Sequence, residues 1–164
     1  MKTLFLVRHA KSSWRNSELS DIDRPLKERG IRNAYQMGEH LQSAGGAPDL
    51  IITSPAARAM HTAIIFARQL SFPMHRMRIN GLLYHGGQGG IMEMLNQLDN
   101  RFDSVMIVGH NPTFTNMVNQ LSDGELDNLP TSGVAEIRFD VERWAQLNMD
   151  STGKLQQVVI PKQL

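Results

Sequence analysis

Basic side chains follow three short apolar runs of the sequence, in positions that would suit the binding of an anion. Arg8 and His9 come directly after the first run, Arg58 lies shortly after the second, and His110 lies just beyond the third. Arginine can donate two parallel hydrogen bonds to a tetrahedral oxyanion, and a neutral histidine can attack phosphorus as a nucleophile. Because the chain has no cysteine to act as a rival nucleophile, these residues indicate phosphoryl transfer through a histidine.

The three apolar runs have the composition of buried strands, and amphipathic segments separate them. We predict strands over 4–7, 50–53, 76–80, 104–108, 134–139 and 155–160, with helices over 26–43, from Ser54-Pro55 to about 70, over 90–98 and from Asn111-Pro112 to about 121. This alternation predicts a three-layer α/β/α sandwich with a mostly parallel central sheet, in one domain over residues 1–164. Since loops converge at the carboxyl ends of parallel strands, we expect the basic residues to face one pocket.

Two of these residues can also be interpreted as structural residues with no role in catalysis or binding. Pro55 at the first helical position would place Arg58 in the first turn, where the helix dipole disfavours a cation by about 0.3–1 kcal/mol. An anion bound at this helix end would make the interaction of Arg58 with its surroundings favourable. The alternative is that Arg58 points away and pairs with a surface carboxylate. Arg8 and His110 at equivalent strand ends favour the anion. For His9 the alternative is a buried core histidine with no chemical role.

Composition excludes several other functions. The 164 residues carry a formal net charge of +1 and contain no cysteine, which excludes disulfides and Cys-ligated zinc and fits a cytoplasmic protein. The near-neutral charge gives no reason to expect a nucleic-acid partner. The first apolar segment is too short for a signal peptide or a membrane span, so no membrane partner is expected. No His-x-x-x-His pair occurs, and the three strand ends lack carboxylates, so no metal site is predicted.

Three motifs in order resemble a known family. Val7-Arg8-His9-Ala10 resembles the Arg-His-Gly signature of the histidine phosphatase superfamily, which has the phosphoglycerate-mutase-like fold. Residues 54–63, SPAARAMHTA, match its second motif, and residues 108–112, VGHNP, match its third. Further similarity to the compact SixA-like phosphohistidine phosphatases, which lack the large cap insert of the mutases, comes from Lys11-Ser12-Ser13-Trp14, Asp23-Arg24-Pro25-Leu26 and Gly30.

The resemblance implies a role for each matching residue. His9 would be the nucleophile that forms a transient phosphohistidine, and Arg8, Arg58 and His110 would clamp the phosphoryl oxygens. The substrate-binding residues would be Arg24, Asn111, Ser13 and Lys11. For Ser13 and Lys11 the alternative is a loop residue with no role in the chemistry. Water would then attack the phosphoenzyme, so the resemblance implies no metal and no organic cofactor.

The sequence departs from the wider superfamily at the acid that protonates the leaving group. Residues 80–90 contain no carboxylate where larger members carry one, and a general acid is worth about 10²–10⁴ in rate. Its absence disfavours sugar phosphates and a mutase reaction, and favours substrates whose leaving group departs easily. Glu93 or Asp23 would be the alternative acids if a loop folds in. The Ala10 that replaces the usual glycine is typical of the compact branch.

These observations support three functional hypotheses. The first is a SixA-like phosphatase that removes the phosphoryl group from a phosphohistidine protein. The second is a small-molecule phosphatase that acts on nucleotides or activated phosphates. The third is a phosphate-recognition module without catalysis, against which the intact His9 speaks. We interpret Gly86–Gly90 as a flexible pocket rim, since no clear buried strand precedes it and it lacks the Lys-Ser/Thr ending of a phosphate loop.

Overall fold

A six-stranded sheet forms the centre of the molecule. The computed structural model describes all 164 residues. Its strands are β1 (Lys2–Arg8), β2 (Leu50–Thr53), β3 (Arg78–Ile79), β4 (Ser104–Gly109), β5 (Val134–Phe139) and β6 (Lys154–Val159). They lie in the order β3-β2-β4-β1-β5-β6. The first four in that order are parallel, whereas β5 runs antiparallel to β1 and β6 antiparallel to β5. The predicted mostly parallel sheet is confirmed.

Helices cover both faces of the sheet and bury two separate cores. The helices are α1 (Glu28–Ala44), α2 (Ala57–Gln69), α3 (Leu82–His85), α4 (Gly87–Asn96) and α5 (Thr113–Leu121). Strand β1 contributes side chains to both cores, because alternate side chains of a strand point to opposite faces of the sheet. Leu4 and Leu6 pack with α4 and α5, while Val7 packs with α1 and α2. This confirms the three-layer sandwich. None of the helices is long and apolar enough to span a bilayer.

Several parts of the predicted pattern differ from the structure. Helix α2 begins at Ala57 rather than at Ser54-Pro55, because the Ser54 N–H still donates to the Val108 carbonyl at 3.0 Å and keeps the chain extended. Strand β3 spans only Arg78–Ile79 of the predicted 76–80. The interpretation of Gly86–Gly90 as a flexible rim was wrong, since Gly87 begins α4.

The loop that follows β1 rests directly on the first turn of α1. The Lys27 N–H donates to the Lys11 carbonyl at 2.8 Å, and the Ser13 N–H donates to the Pro25 carbonyl at 2.8 Å. Gly30 is buried, and a Cβ at this position would collide with the backbone carbonyl of Lys11. A glycine is therefore needed here for close approach, and the contact fixes the segment that immediately follows His9.

We expect Gly30→Ala to lower the free energy of unfolding by about 1–3 kcal/mol, because the added methyl group overpacks a backbone contact. Alanine favours a helix over glycine by roughly 0.5–1 kcal/mol, which the collision outweighs. Gly89→Ala in α4 is the matched control, since a Cβ there meets no atom within 4 Å. Urea denaturation should show Gly89→Ala as stable as the wild type or more so. A Gly30→Ala variant of wild-type stability would contradict this account.

Candidate active site

The three strand ends converge on one cavity of about 290 Å³. The carboxyl ends of β1 and β4 are adjacent, with Arg8 opposite Gly109, and β2 flanks β4 on its other side. The cavity is lined by Arg8, His9, Lys11, Ser12, Trp14, Arg24, Arg58, His110, Asn111 and Thr131. The structure thus brings together the predicted site residues with the exception of Ser13.

His9 is held in one orientation and kept neutral. Its Nδ1 lies 2.7 Å from the Ala10 carbonyl, which can only accept, so Nδ1 carries the ring proton and Nε2 keeps a lone pair. Burial lowers the pKa of His9 from 6.5 to about 4, the Ala10 hydrogen bond opposes this shift, and the positive charges of Arg58, Arg8 and Arg24 add to it. His9 is therefore an uncharged imidazole at neutral pH.

His110 lies beside His9 and is also neutral. The two ring centroids are 5.2 Å apart. Burial is the largest cause that lowers the pKa of His110 from 6.5 to about 3, and the neighbouring His9 and Arg58 add to this shift. Its Nε2 lies 2.8 Å from the Ser54 hydroxyl, which also accepts the Ala56 N–H at 3.1 Å. Ser54 therefore holds the His110 ring in place.

One carboxylate connects two of the buried arginines. Asp21 accepts from Nη2 of Arg58 at 3.0 Å and from Nη1 of Arg24 at 3.0 Å, and its backbone carbonyl accepts from Nη1 of Arg58 at 2.7 Å. The Tyr84 hydroxyl donates to the same carboxylate at 2.7 Å. The Tyr84 hydrogen bond is the largest cause that lowers the pKa of Asp21 to about 2, with Arg58 and Arg24 adding to it.

Three buried polar side-chain atoms in this part of the molecule have no hydrogen-bond partner: Nε of Arg8, Nδ1 of His110 and Oγ of Ser132. Leaving such an atom unpaired costs about 1–3 kcal/mol. Arg8 and His110 both line the cavity, and the Ser132 N–H donates to the carbonyls of Arg8 and His9 at 3.1 and 3.2 Å. Two of the three unpaired atoms thus belong to side chains that line the cavity, which favours a polar ligand there.

Comparison with known proteins gives the family. A sequence model of the histidine phosphatase superfamily (branch 1) matches residues 4–78. An uncharacterised protein of Mycobacterium tuberculosis is 30% identical over 151 residues, which cover 86% of this chain and 91% of that protein. The chain belongs to the histidine phosphatase superfamily.

Solved structures of the compact histidine phosphatases share the whole fold. A protein assigned as the SixA phosphohistidine phosphatase of Agrobacterium tumefaciens superposes with a TM-score of 0.79 at 25% identity, covering 98% of both chains. The protein histidine phosphatase SixA in complex with tungstate superposes with a TM-score of 0.81 at 23% identity, again over 98% of both chains. The predicted resemblance to the SixA-like branch is confirmed, and membership of the superfamily supports a phosphatase function.

Two of the predicted substrate-binding residues have other contacts in this histidine phosphatase. Ser13 lies outside the cavity lining, where its hydroxyl accepts the Arg15 N–H at 3.1 Å, and its neighbour Ser12 takes the place expected for it. Asn111 lines the cavity, but its amide is fully used within the protein. Its Oδ1 accepts twice from Thr115, and its Nδ2 donates to Asn128 and to the Leu129 carbonyl. Asn111 therefore fixes the turn into α5.

Neither alternative acid reaches the cavity. Glu93 lies in a separate groove beside Arg78 and Gln97. The Asp23 carboxylate accepts the Ser20 hydroxyl at 2.8 Å and does not line the site. Asp21, which the sequence did not single out, is close by, but its low pKa makes it a poor proton donor. No group of three or more His, Cys, Asp or Glu side chains is arranged to hold a metal ion.

A larger groove of about 660 Å³ opens where β2 and β3 begin, at the other end of the sheet. Its basic lining residues are His75, Arg76, Arg78 and Arg101, and all of them are exposed to solvent. Exposed cations keep their water and ordinary flexibility, whereas the cavity at the strand ends holds buried arginines and neutral histidines. Burial and hydrogen bonding, rather than size, identify the smaller cavity as the site.

We expect Asp21→Asn to lower the free energy of unfolding at neutral pH, because the variant loses the negative charge that pairs with the buried arginines. The loss should be only about 1 kcal/mol, since the half-exposed carboxylate is partly screened by water. The folded-state pKa of Asp21, about 2, lies below the unfolded value of 3.8, so this stabilisation is fully present above about pH 4. It is lost as the pH falls through about 2. Denaturation of both proteins across pH 3 to 8 measures the difference, which should shrink only at the acid end.

The matched control for this prediction is Asp23→Asn. Its carboxylate accepts only a serine hydroxyl and forms no ion pair with an arginine. A difference for Asp21→Asn that is the same at pH 3 and pH 7, or no larger than that of Asp23→Asn, would contradict the charge network described above.

Proposed function

We propose that this protein hydrolyses phosphohistidine in a phosphorylated protein, through a covalent intermediate on His9. The observation that carries the proposal is the hydrogen bond from Nδ1 of His9 to the Ala10 carbonyl, which leaves a lone pair on Nε2 of a neutral ring. That ring lies in a cavity lined by Arg8, Arg24 and Arg58. A nucleophile and several cationic donors around one small space suit an attack on a phosphoryl group.

The reaction would proceed in two displacements. The Nε2 lone pair of His9 forms a bond to phosphorus while the bond from phosphorus to the leaving group breaks. Arg8, Arg58 and His110 would donate to the phosphoryl oxygens, whose negative charge they stabilise. Water then attacks the phosphorus, the N–P electrons return to Nε2, and inorganic phosphate leaves. Each turnover consumes one water molecule and regenerates neutral His9.

Ser54 would set the tautomer of His110 for this role. A hydroxyl has one proton to donate, and Ser54 already accepts the Ala56 N–H. Donation of its proton to Nε2 of His110 would leave the ring proton of the neutral histidine on Nδ1. That buried Nδ1 has no partner within the protein, so a phosphoryl oxygen that approached it would satisfy its N–H.

The substrate class follows from the missing acid. With no carboxylic acid of suitable pKa at the cavity, the leaving group must depart without a proton from the enzyme. A phosphohistidine meets this condition when its other ring nitrogen is protonated, because the ring then leaves as neutral imidazole. Aryl and acyl phosphates also leave easily, which keeps small activated phosphates as the alternative substrates. A recognition module without catalysis is less consistent with the free lone pair of His9.

We expect His9→Ala to reduce turnover by more than about 10³-fold, because removal of a covalent nucleophile eliminates the low-energy route. Enzyme denatured by base during turnover should carry phosphate that is stable in alkali and lost in acid, as a phosphoramidate is. His75→Ala, which changes an exposed histidine at the other end of the sheet, is the control and should retain full activity. Acid-stable phosphate on the enzyme would contradict a phosphohistidine intermediate.

We expect a strong dependence on the leaving group. A phosphohistidine peptide and an aryl phosphate should be hydrolysed about 10²–10⁴-fold faster than an alkyl phosphate, which needs a proton donor. Rates for these substrates, together with a nucleotide, separate the protein phosphatase from the small-molecule phosphatase. Equal rates for aryl and alkyl phosphates would show that a general acid exists after all.

A further inference from the structure

Trp14 is an exposed aromatic residue at the mouth of the active-site cavity. Its side chain is 72% exposed, whereas the second tryptophan, Trp144, is completely buried. Among the residues that line the cavity, Trp14 is the single hydrophobic one. An indole in this position loses hydrophobic stabilisation unless a ligand covers it, because its apolar surface stays in water.

The indole ring is held in place by Arg24. The guanidinium carbon of Arg24 lies 3.3 Å from the ring centroid, which is a close stacking contact. Arg24 is itself buried and fixed, since it donates to the Ser12 hydroxyl, to the Ser13 carbonyl and to Asp21. One face of the ring is therefore covered by a fixed cation, and the large exposed fraction shows that much of the remaining surface is open.

A substrate would contact the site in two places, with its phosphoryl group in the interior of the cavity and its leaving group at the mouth. The phosphoryl group requires the polar interior, where Arg8, Arg58 and the two histidines lie. The group attached to phosphorus must then extend through the mouth, past Trp14. From this placement, and resting on the proposed phosphatase function, we infer that Trp14 stacks against a planar ring in the leaving group, as in the imidazole of phosphohistidine. Trp14 is thus a specificity-determining residue for leaving groups with a ring.

Binding of two non-hydrolysable phosphonates tests this without catalysis. Phenylphosphonate carries a ring and methylphosphonate does not, so calorimetry should show that the wild type prefers the former. In Trp14→Ala the preference should fall by about two- to tenfold, the range expected for one aromatic contact, and Trp14→Phe should restore most of it. Arg15→Ala, which changes the next exposed residue of the same loop, should leave the preference unchanged.

Kinetics give the second readout. In Trp14→Ala, kcat/KM should fall for a phosphohistidine peptide and for phenyl phosphate but stay within about twofold for acetyl phosphate, which has no ring to stack. A fall for phenyl phosphate alone would restrict the contact to small aryl substrates and overturn the assignment to phosphohistidine. If Trp14→Ala binds each phosphonate as tightly as the wild type does, the Trp14 inference is overturned. A wild type that shows the phosphonate preference but hydrolyses none of these substrates would instead overturn the proposed function.

Discussion

Burial of two histidines among arginines is the constraint around which this site is built. Water cannot stabilise a protonated ring in that environment, and the neighbouring guanidinium groups repel one, so the pKa values of His9 and His110 fall to about 4 and about 3. A histidine that does not take up a second ring proton keeps the lone pair on its other nitrogen at physiological pH. The arginines that add to the shift caused by burial would also attract a phosphoryl group, so they would act both on the protonation of His9 and on the binding of a substrate.

The protein can remain folded with so many positive charges close together only if other groups compensate them. Asp21 supplies part of this compensation by binding Arg24 and Arg58 at once, with Tyr84 as a further donor to its carboxylate. Arg8 receives no carboxylate partner, and the only hydrogen bond of its side chain goes to the Leu129 carbonyl at 3.1 Å. The cavity thus retains an excess of positive charge, which a phosphoryl group with its charge of about −1.5 to −2 would complement.

Local sequence patterns predicted the parts of the structure that local chemistry determines. The run Leu50–Thr53 has the bounds of β2, and the strand ends meet as the parallel arrangement requires. The sequence does not single out Asp21 as a partner of the arginines, because nothing in its local sequence distinguishes it from Asp23. The distinction arises only when α2 brings Arg58 beside Asp21. The Ser54-Pro55 helix start failed for a similar reason: a hydrogen bond to β4, about fifty residues away, overrides the local capping preference. Tertiary contacts of this kind leave no periodic signal.

The central position of β1 has a consequence for how the chain folds. This strand pairs on one side with β4 and on the other with β5, partners that lie roughly a hundred residues or more along the chain. Pairings of such high sequence separation require closure of long loops and form slowly. Arg8 and His9 also receive the Ser132 N–H, so their backbone is fixed only after most of the chain is in place. Recovery of activity during refolding would therefore report the completion of folding, well after the helices have formed.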